Sequence, residues 1–95
     1  MLTHVVLIKL TDPSLADHLA GLLNGLDGQI PGLVSISAGA DVVRSERSWD
    51  LALVTVFEDM AAMEAYQTHP AHVAVATELR AAASELAAVD FEVSA

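Results

Sequence analysis

The sequence predicts an α+β fold, a four-stranded antiparallel sheet with helices on one face, built in the order β-α-β-β-α-α-β. Three observations lead there. Apolar runs of strand length stand at 4–10, 33–42, 49–57 and 88–93, and those at 33–42 and 88–93 alternate with period two. Between them, 13–27, the stretch from Glu58-Asp59 to Tyr66, and 70–87 carry apolar residues at helical spacing. Asp12-Pro13, Asp59 and Pro70 mark the helix starts.

HVVLIKL (4–10) is β-branched and aliphatic, the composition of a well-buried strand. Leu15, Leu19, Leu22, Leu23 and Leu26 then share one stripe of a helix over 13–27, which Gly28 and Pro31 end. LVSISAGADV (33–42) alternates Val34, Ile36, Ala38 and Ala40 against Ser35, Ser37 and Gly39, the pattern of a half-buried strand. RSERS (44–48) is a polar turn, and WDLALVTVF (49–57) pairs back as a hairpin, with Trp49 on the core face of Leu51, Leu53, Thr55 and Phe57. Pro70 disfavours the α conformation at His69, so one helix stops near Thr68 and a second starts at Pro70. Val75, Leu79, Ala82 and Leu86 give that second helix an apolar side, and AVDFEV (88–93) closes the sheet. This is the ferredoxin-like plan. Its sheet has a second face without helices, and an exposed face of such strands calls for a partner. Pairing across a two-fold axis is the commonest answer, so a homodimer is expected.

The 95 residues fit a single domain over 1–95, and with 54% hydrophobic residues they can bury a compact core. A formal charge of −9 leaves only Lys9, Arg44, Arg47 and Arg80 to meet phosphates, and these are scattered. That excludes nucleic acid as a partner and disfavours an anionic membrane surface. The chain has no cysteine, so disulfides and thiolate metal sites are excluded. Its start reads as neither a secretory leader nor a membrane span, and the cytoplasm is the expected location.

Chemistry is concentrated in AYQTHPAH (65–72). His72 falls in the first turn of the later helix, where the positive end of the dipole disfavours imidazolium. A histidine kept neutral there suits a general base. Tyr66 lies on the side of Met60 and Met63, its ring directed inward, and an imidazole is a natural partner for its hydroxyl. His4, counted by twos with Val6, Ile8 and Leu10, meets the helices from the sheet. His69 and His72 stand three apart, but the proline break spoils a shared face and no ligand set is completed, so no metal is expected. His18 reads as solvated, and Asp90 and Glu92 as polar positions without an assigned role.

These segments, HVVLIKL, IPGLVSISAGADV, WDLALVTVFEDMAAMEAYQTHPAHV and VDFEV, resemble the stress-responsive A/B barrel (Dabb) family of dimeric α+β barrels. Tyr66 to His72 is the most specific part. The resemblance implies a ferredoxin-like protomer whose sheet packs on its mate to close a barrel. By similarity to a plant polyketide cyclase of the family, it also implies a cofactor-free pocket between helices and sheet. There His72 would be the base, Tyr66 its catalytic partner, and His4 and His69 would bind a carbonyl or phenolic substrate. The chain departs from that cyclase at Leu51, where the cyclase has a pocket histidine, and at Ala20 and Leu23, where it has aromatic residues. Three functions remain open: a cofactor-free enzyme such as a cyclase, lyase or isomerase, a stress-protective binding module, and a monooxygenase of the same superfamily.

Overall fold

A computed structural model describes residues 1–94. The last residue of the domain expected over 1–95 lies outside them. The order is β1 (Leu2–Leu10), a 3-10 turn (Pro13–Leu15), α1 (Ala16–Asn24), β2 (Leu33–Ala40), β3 (Leu51–Phe57), α2 (Met60–Thr68), α3 (Pro70–Ala82) and β4 (Ala83–Glu92). The strands form one antiparallel sheet in the order β2-β3-β1-β4, the ferredoxin-like arrangement.

Local chemistry sets the helix boundaries. Asp12 and Asp59 accept from the backbone N–H groups of Ser14 (3.0 Å) and Ala62 (2.8 Å), satisfying donors that a helix start leaves unpaired. The first helical stretch is shorter than the leucine stripe suggested, because the chain leaves α1 at Asn24 and turns back through Gly28, which has a positive φ of 74°. Leu15, in the 3-10 turn, is exposed rather than part of the stripe.

The largest difference concerns α3. Helical periodicity extends to residue 87, yet α3 stops at Ala82 and SELAA enters β4. The cause is tertiary. Ile8 pairs with Leu86 and Lys9 with Glu85, and the Thr11 N–H bonds the Ala82 carbonyl at 2.9 Å. The ladder to β1 overrides the modest helix propensity of these alanines and leucine.

Register divides the sheet into two faces. Leu2, His4, Val6, Ile8 and Leu10 of β1, with Leu51, Leu53, Thr55 and Phe57 of β3, face the helices. There they pack with Leu19, Leu23 and Leu79 at one end and with Leu26, Met63 and Tyr66 at the other. Val5, Leu7, Ala52, Val54, Val56, Val89 and Phe91 lie on the opposite, open face. Val89 is 63% and Phe91 46% exposed.

Trp49 belongs to this open face, not to the core as its parity with Leu51 suggested. Strand β3 begins only at Leu51, and the residues before it form a tied loop. Arg44, with a left-handed φ of 54°, donates to Asp50 Oδ1 at 2.7 Å and to Asp41 Oδ2 at 3.3 Å. Asp50 also accepts the Leu10 N–H at 2.8 Å, binding the loop to β1. Those contacts, the Leu10 amide first and Arg44 next, hold the Asp50 carboxyl below its ordinary value. The segment 44–48 is therefore an anchored loop rather than a purely solvated turn.

Candidate functional site

The polar groups of the helix-side face converge at the α2–α3 junction. Pro70 fixes the chain there. His69 has extended backbone (φ −67°, ψ 134°), and its Nδ1 accepts from the Ala71 N–H at 3.1 Å. His69 is thus the N-cap of α3, which gives its ring a structural task. Three residues on, His72 faces back over the end of α2, and its Nδ1–H donates to the Gln67 carbonyl at 3.3 Å. A carbonyl only accepts, so neutral His72 carries its proton on Nδ1 and its lone pair on Nε2.

Burial is the first cause that pushes the His72 imidazolium below its ordinary value, and Arg80 and His4 push the same way. The bond to Gln67 opposes them. The direction agrees with the expectation from the helix terminus, but desolvation leads.

Tyr66 is 2% exposed, wedged between Phe57 (ring centroids 4.9 Å, edge-on) and His72 (4.1 Å, tilted by 38°). Its hydroxyl has no hydrogen-bond partner among the described residues. The imidazole meets the phenol as a stacked ring, not as the hydroxyl's acceptor. Burial pushes the Tyr66 phenol up to about 12, so the hydroxyl stays protonated and remains a donor.

His4 enters from β1 on the same face. Its Nδ1 is hydrogen-bonded to Oδ1 of Asp90, its direct cross-strand partner on β4. An ionised carboxylate only accepts, so His4 too turns an Nε2 lone pair outward while neutral. Asp90 was not assigned a role from sequence. The available signal was the alternation of AVDFEV, whose polar members share a face, but the pairing of residue 90 with residue 4 needs the register. The helix-side face of β4 is uncovered, with Leu86 49% exposed and Asp90 and Glu92 also exposed. This part of the sheet is open to solvent in the protomer.

His18 lies outside the cluster. Its Nε2 meets Glu78 Oε1 at 2.9 Å, an exposed pair linking α1 to α3 rather than a simply solvated ring. Among the described residues no group of three or more His, Asp or Glu side chains is placed to hold a metal. Nor is any helix among them long and apolar enough to cross a membrane.

A helix-backed four-stranded sheet with a phenol and two imidazoles on its helix side defines a ferredoxin-like α+β protein. The chain belongs to the stress responsive A/B barrel domain family, whose pattern matches residues 2–93. No curated protein matches it. Among solved structures it is similar to a dimeric ferredoxin-like protein of unknown function from Bacteroides fragilis, at 27% identity and a TM-score of 0.86, covering 97% of this chain and 95% of that one. A dimeric ferredoxin-like protein of unknown function from Thermobifida fusca is 26% identical with a TM-score of 0.86, over 97% and 90% of the two chains. The hydroxynitrile lyase of Passiflora edulis shares the fold at 14% identity and a TM-score of 0.81, over 98% of this chain and 93% of the lyase.

Proposed function

We propose that residues 1–95 act as one cytoplasmic domain that self-associates as a homodimer and binds a small carbonyl or phenolic compound in a trough between α3 and the sheet. The site is fitted for cofactor-free proton transfer. One observation carries the reading: a buried Tyr66 hydroxyl without a partner, packed against a histidine that burial keeps neutral. An unsatisfied buried hydroxyl costs about 1–3 kcal/mol, a cost that a ligand acceptor would remove. The dimeric relatives and the apolar open face support the homodimer.

The chemistry follows from the donors and acceptors. His72 Nε2 takes a proton from the carbon next to a carbonyl. The C–H electron pair moves toward the carbonyl oxygen, which becomes an enolate oxygen. The neutral Tyr66 hydroxyl donates to that oxygen and stabilises the charge as it develops. His4, oriented by Asp90, lines the trough and presents a second acceptor. The enolate can then add intramolecularly or be reprotonated, the outcomes of a cyclase or an isomerase. That a lyase shares the fold shows only that the architecture can carry an enzyme.

An NMR titration of the four histidine rings, with and without a panel of β-keto and phenolic acids, tests this. His72 should titrate below the ordinary histidine value and shift with one ligand class, and His72→Ala should abolish turnover of that ligand while leaving the fold intact. If His72 titrates like an exposed ring and ignores every acid, the cluster is packing and the protein is a structural or stress-protective module.

A further inference from the structure

Basic side chains are scarce in this acidic chain, and three of the four have an evident place. Lys9 is paired with Glu85 at 3.2 Å and Arg44 with Asp50 at 2.7 Å. Arg47 stands with Trp49, Leu7 and Val54 on the open face of the sheet, the face left to a second copy. Arg80 differs. It is exposed on α3, on the helix side of the molecule, and has no carboxylate partner among the described residues.

A cation in the last turn of a helix can serve only to complement the carbonyls left unpaired there. At the end of α3 that need is met by backbone. The Leu79 carbonyl accepts the Ala83 N–H, and the Ala82 carbonyl accepts the Thr11 N–H at 2.9 Å. Neighbouring carboxylates are engaged as well: Glu78 with His18, Glu85 with Lys9 and Asp90 with His4.

The position of Arg80 relative to the histidine cluster is definite. His72, Ala76 and Arg80 form one i, i+4, i+8 row of α3, so the backbone positions of His72 and Arg80 are about 12 Å apart. Helical side chains lean toward the N-terminus, which brings the guanidinium back toward the imidazole. The helix runs parallel to β1, with Ala71 packed near Leu2 at one end and Leu79 near Ile8 at the other. Strand β4 runs the opposite way, setting Glu92 and Asp90 across from Leu2 and His4, and Leu86 across from Ile8. Its helix-side strip therefore carries two acids at the His72 end and exposed Ala88 and Leu86 beyond them, with Arg80 on α3 at the far end. An anionic group is repelled from the first end and drawn to the second, while an apolar chain can lie between.

We infer that the compound taken by this site is a keto acid whose carboxylate is separated from the reacting carbonyl by a chain of methylenes, with the carbonyl at His72 and Tyr66, the chain along Ala88 and Leu86, and the carboxylate on Arg80. This rests on the proton-transfer reading and narrows its substrate. An acid whose carboxylate lies next to its carbonyl is too short to meet both ends.

Exchange in deuterium oxide tests it. His72 Nε2 takes a proton from the carbon beside the carbonyl, the C–H pair passes into the enolate, and the deuteron returned to that carbon is counted by NMR. The two substrates are 7-oxooctanoate and 2-octanone, equal in carbon number and differing in the carboxylate. Wild-type protein at low salt should favour the acid in kcat/KM by about threefold to tenfold, the scale of a bidentate pair at an exposed arginine. That ratio should fall toward one in Arg80→Ala and at high salt, and return in part in Arg80→Lys. The ratio within one variant is the measure, because Arg80 also acts on the proton affinity of His72. Equal exchange of the two ketones by wild type, or a ratio that survives Arg80→Ala, overturns the acid anchor and leaves the proton transfer standing. If neither ketone exchanges, the proton-transfer reading falls, and octanoate titrated against the amide signals of α3 and β4 decides the anchor. Shifts near residues 80 and 86 that vanish in Arg80→Ala then uphold the anion site, and their absence from wild type overturns it too. Circular dichroism of both variants checks that the fold is retained.

Discussion

Tyr66 is both the most buried polar ring of the site and its unmet obligation. Tyr66→Phe removes a hydroxyl that bonds to nothing in the described chain. The variant should therefore unfold at the same or higher denaturant concentration, a gain of up to about 1 kcal/mol, while losing affinity for any ligand whose oxygen that hydroxyl meets. Chemical denaturation and ligand titration of one variant separate the two roles. The titration behaviour has definite signs. The phenol, raised from 10.0 to about 12 in the fold, stays protonated where the unfolded chain ionises, so its contribution is full below pH 10 and is lost as pH rises toward 12. His72 is lowered from 6.5, so the unfolded chain takes up its proton first, and stability falls as pH drops below 6.5 toward the folded value. Replacing His72 by Gln should flatten that acid limb in thermal melts taken between pH 7 and 5. Sequence alone anticipated the downward direction of the His72 shift and the inward ring of Tyr66. It could not supply the stacking, the cap made by His69 or the Asp90 partner, because each depends on where a neighbouring backbone passes.

Elements were legible in proportion to how locally they are determined. The strand at 4–10, the caps at Asp12 and Asp59 and the break at Pro70 are decided by nearest neighbours, and the structure places each within a few residues of its expected position. The end of α3 is decided by β1, which the helical period of 70–87 does not reveal. A contact between elements also explains one glycine. Gly32, at the entry to β2, has a φ of 83°, and a Cβ there would stand 2.7 Å from the Cβ of Ala62 on α2. Gly32→Ala should cost about 2–3 kcal/mol through strain and the forced retreat of α2, measured by urea unfolding. Gly28→Ala, at φ 74° but with open space around it, should cost only about 1 kcal/mol. Asn24 bridges α1 to the outer strand β2, its amide both donating to the Ala38 carbonyl and accepting the Ala38 N–H at 2.9 Å. This seals part of an exposed sheet edge.

At the scale of the molecule, the open face is the property that the apolar strands anticipated best. Among the described residues its one ion pair along β1 and β4, Lys9 with Glu85, lies at an end, and the centre is valine, leucine and alanine. Wild-type protein is expected to sediment as a dimer at micromolar concentration, and Val89→Lys, which sets a charge in that centre, as a monomer of about the same secondary structure. A monomeric wild type would refute the homodimer. The loop carrying Trp49 was not legible, because Arg44, Asp41 and Asp50 meet only once the hairpin is closed.

Strand β4 has a consequence of its own. Backbone bonds to β1 hold it on one side only, and almost all of its side chains are exposed in the protomer, so it is the strand first to fray. One set of its residues brings Asp90 to His4, while the alternate set, Val89 and Phe91, belongs to the open face. A mate that covers the open face would clamp the strand and thereby keep the histidine's carboxylate in place. Assembly and readiness of the site are then linked quantities. Diluting the protein should quicken amide exchange along β4 and loosen the His4 ring together, so that the protein's own concentration becomes an effector of the proposed site.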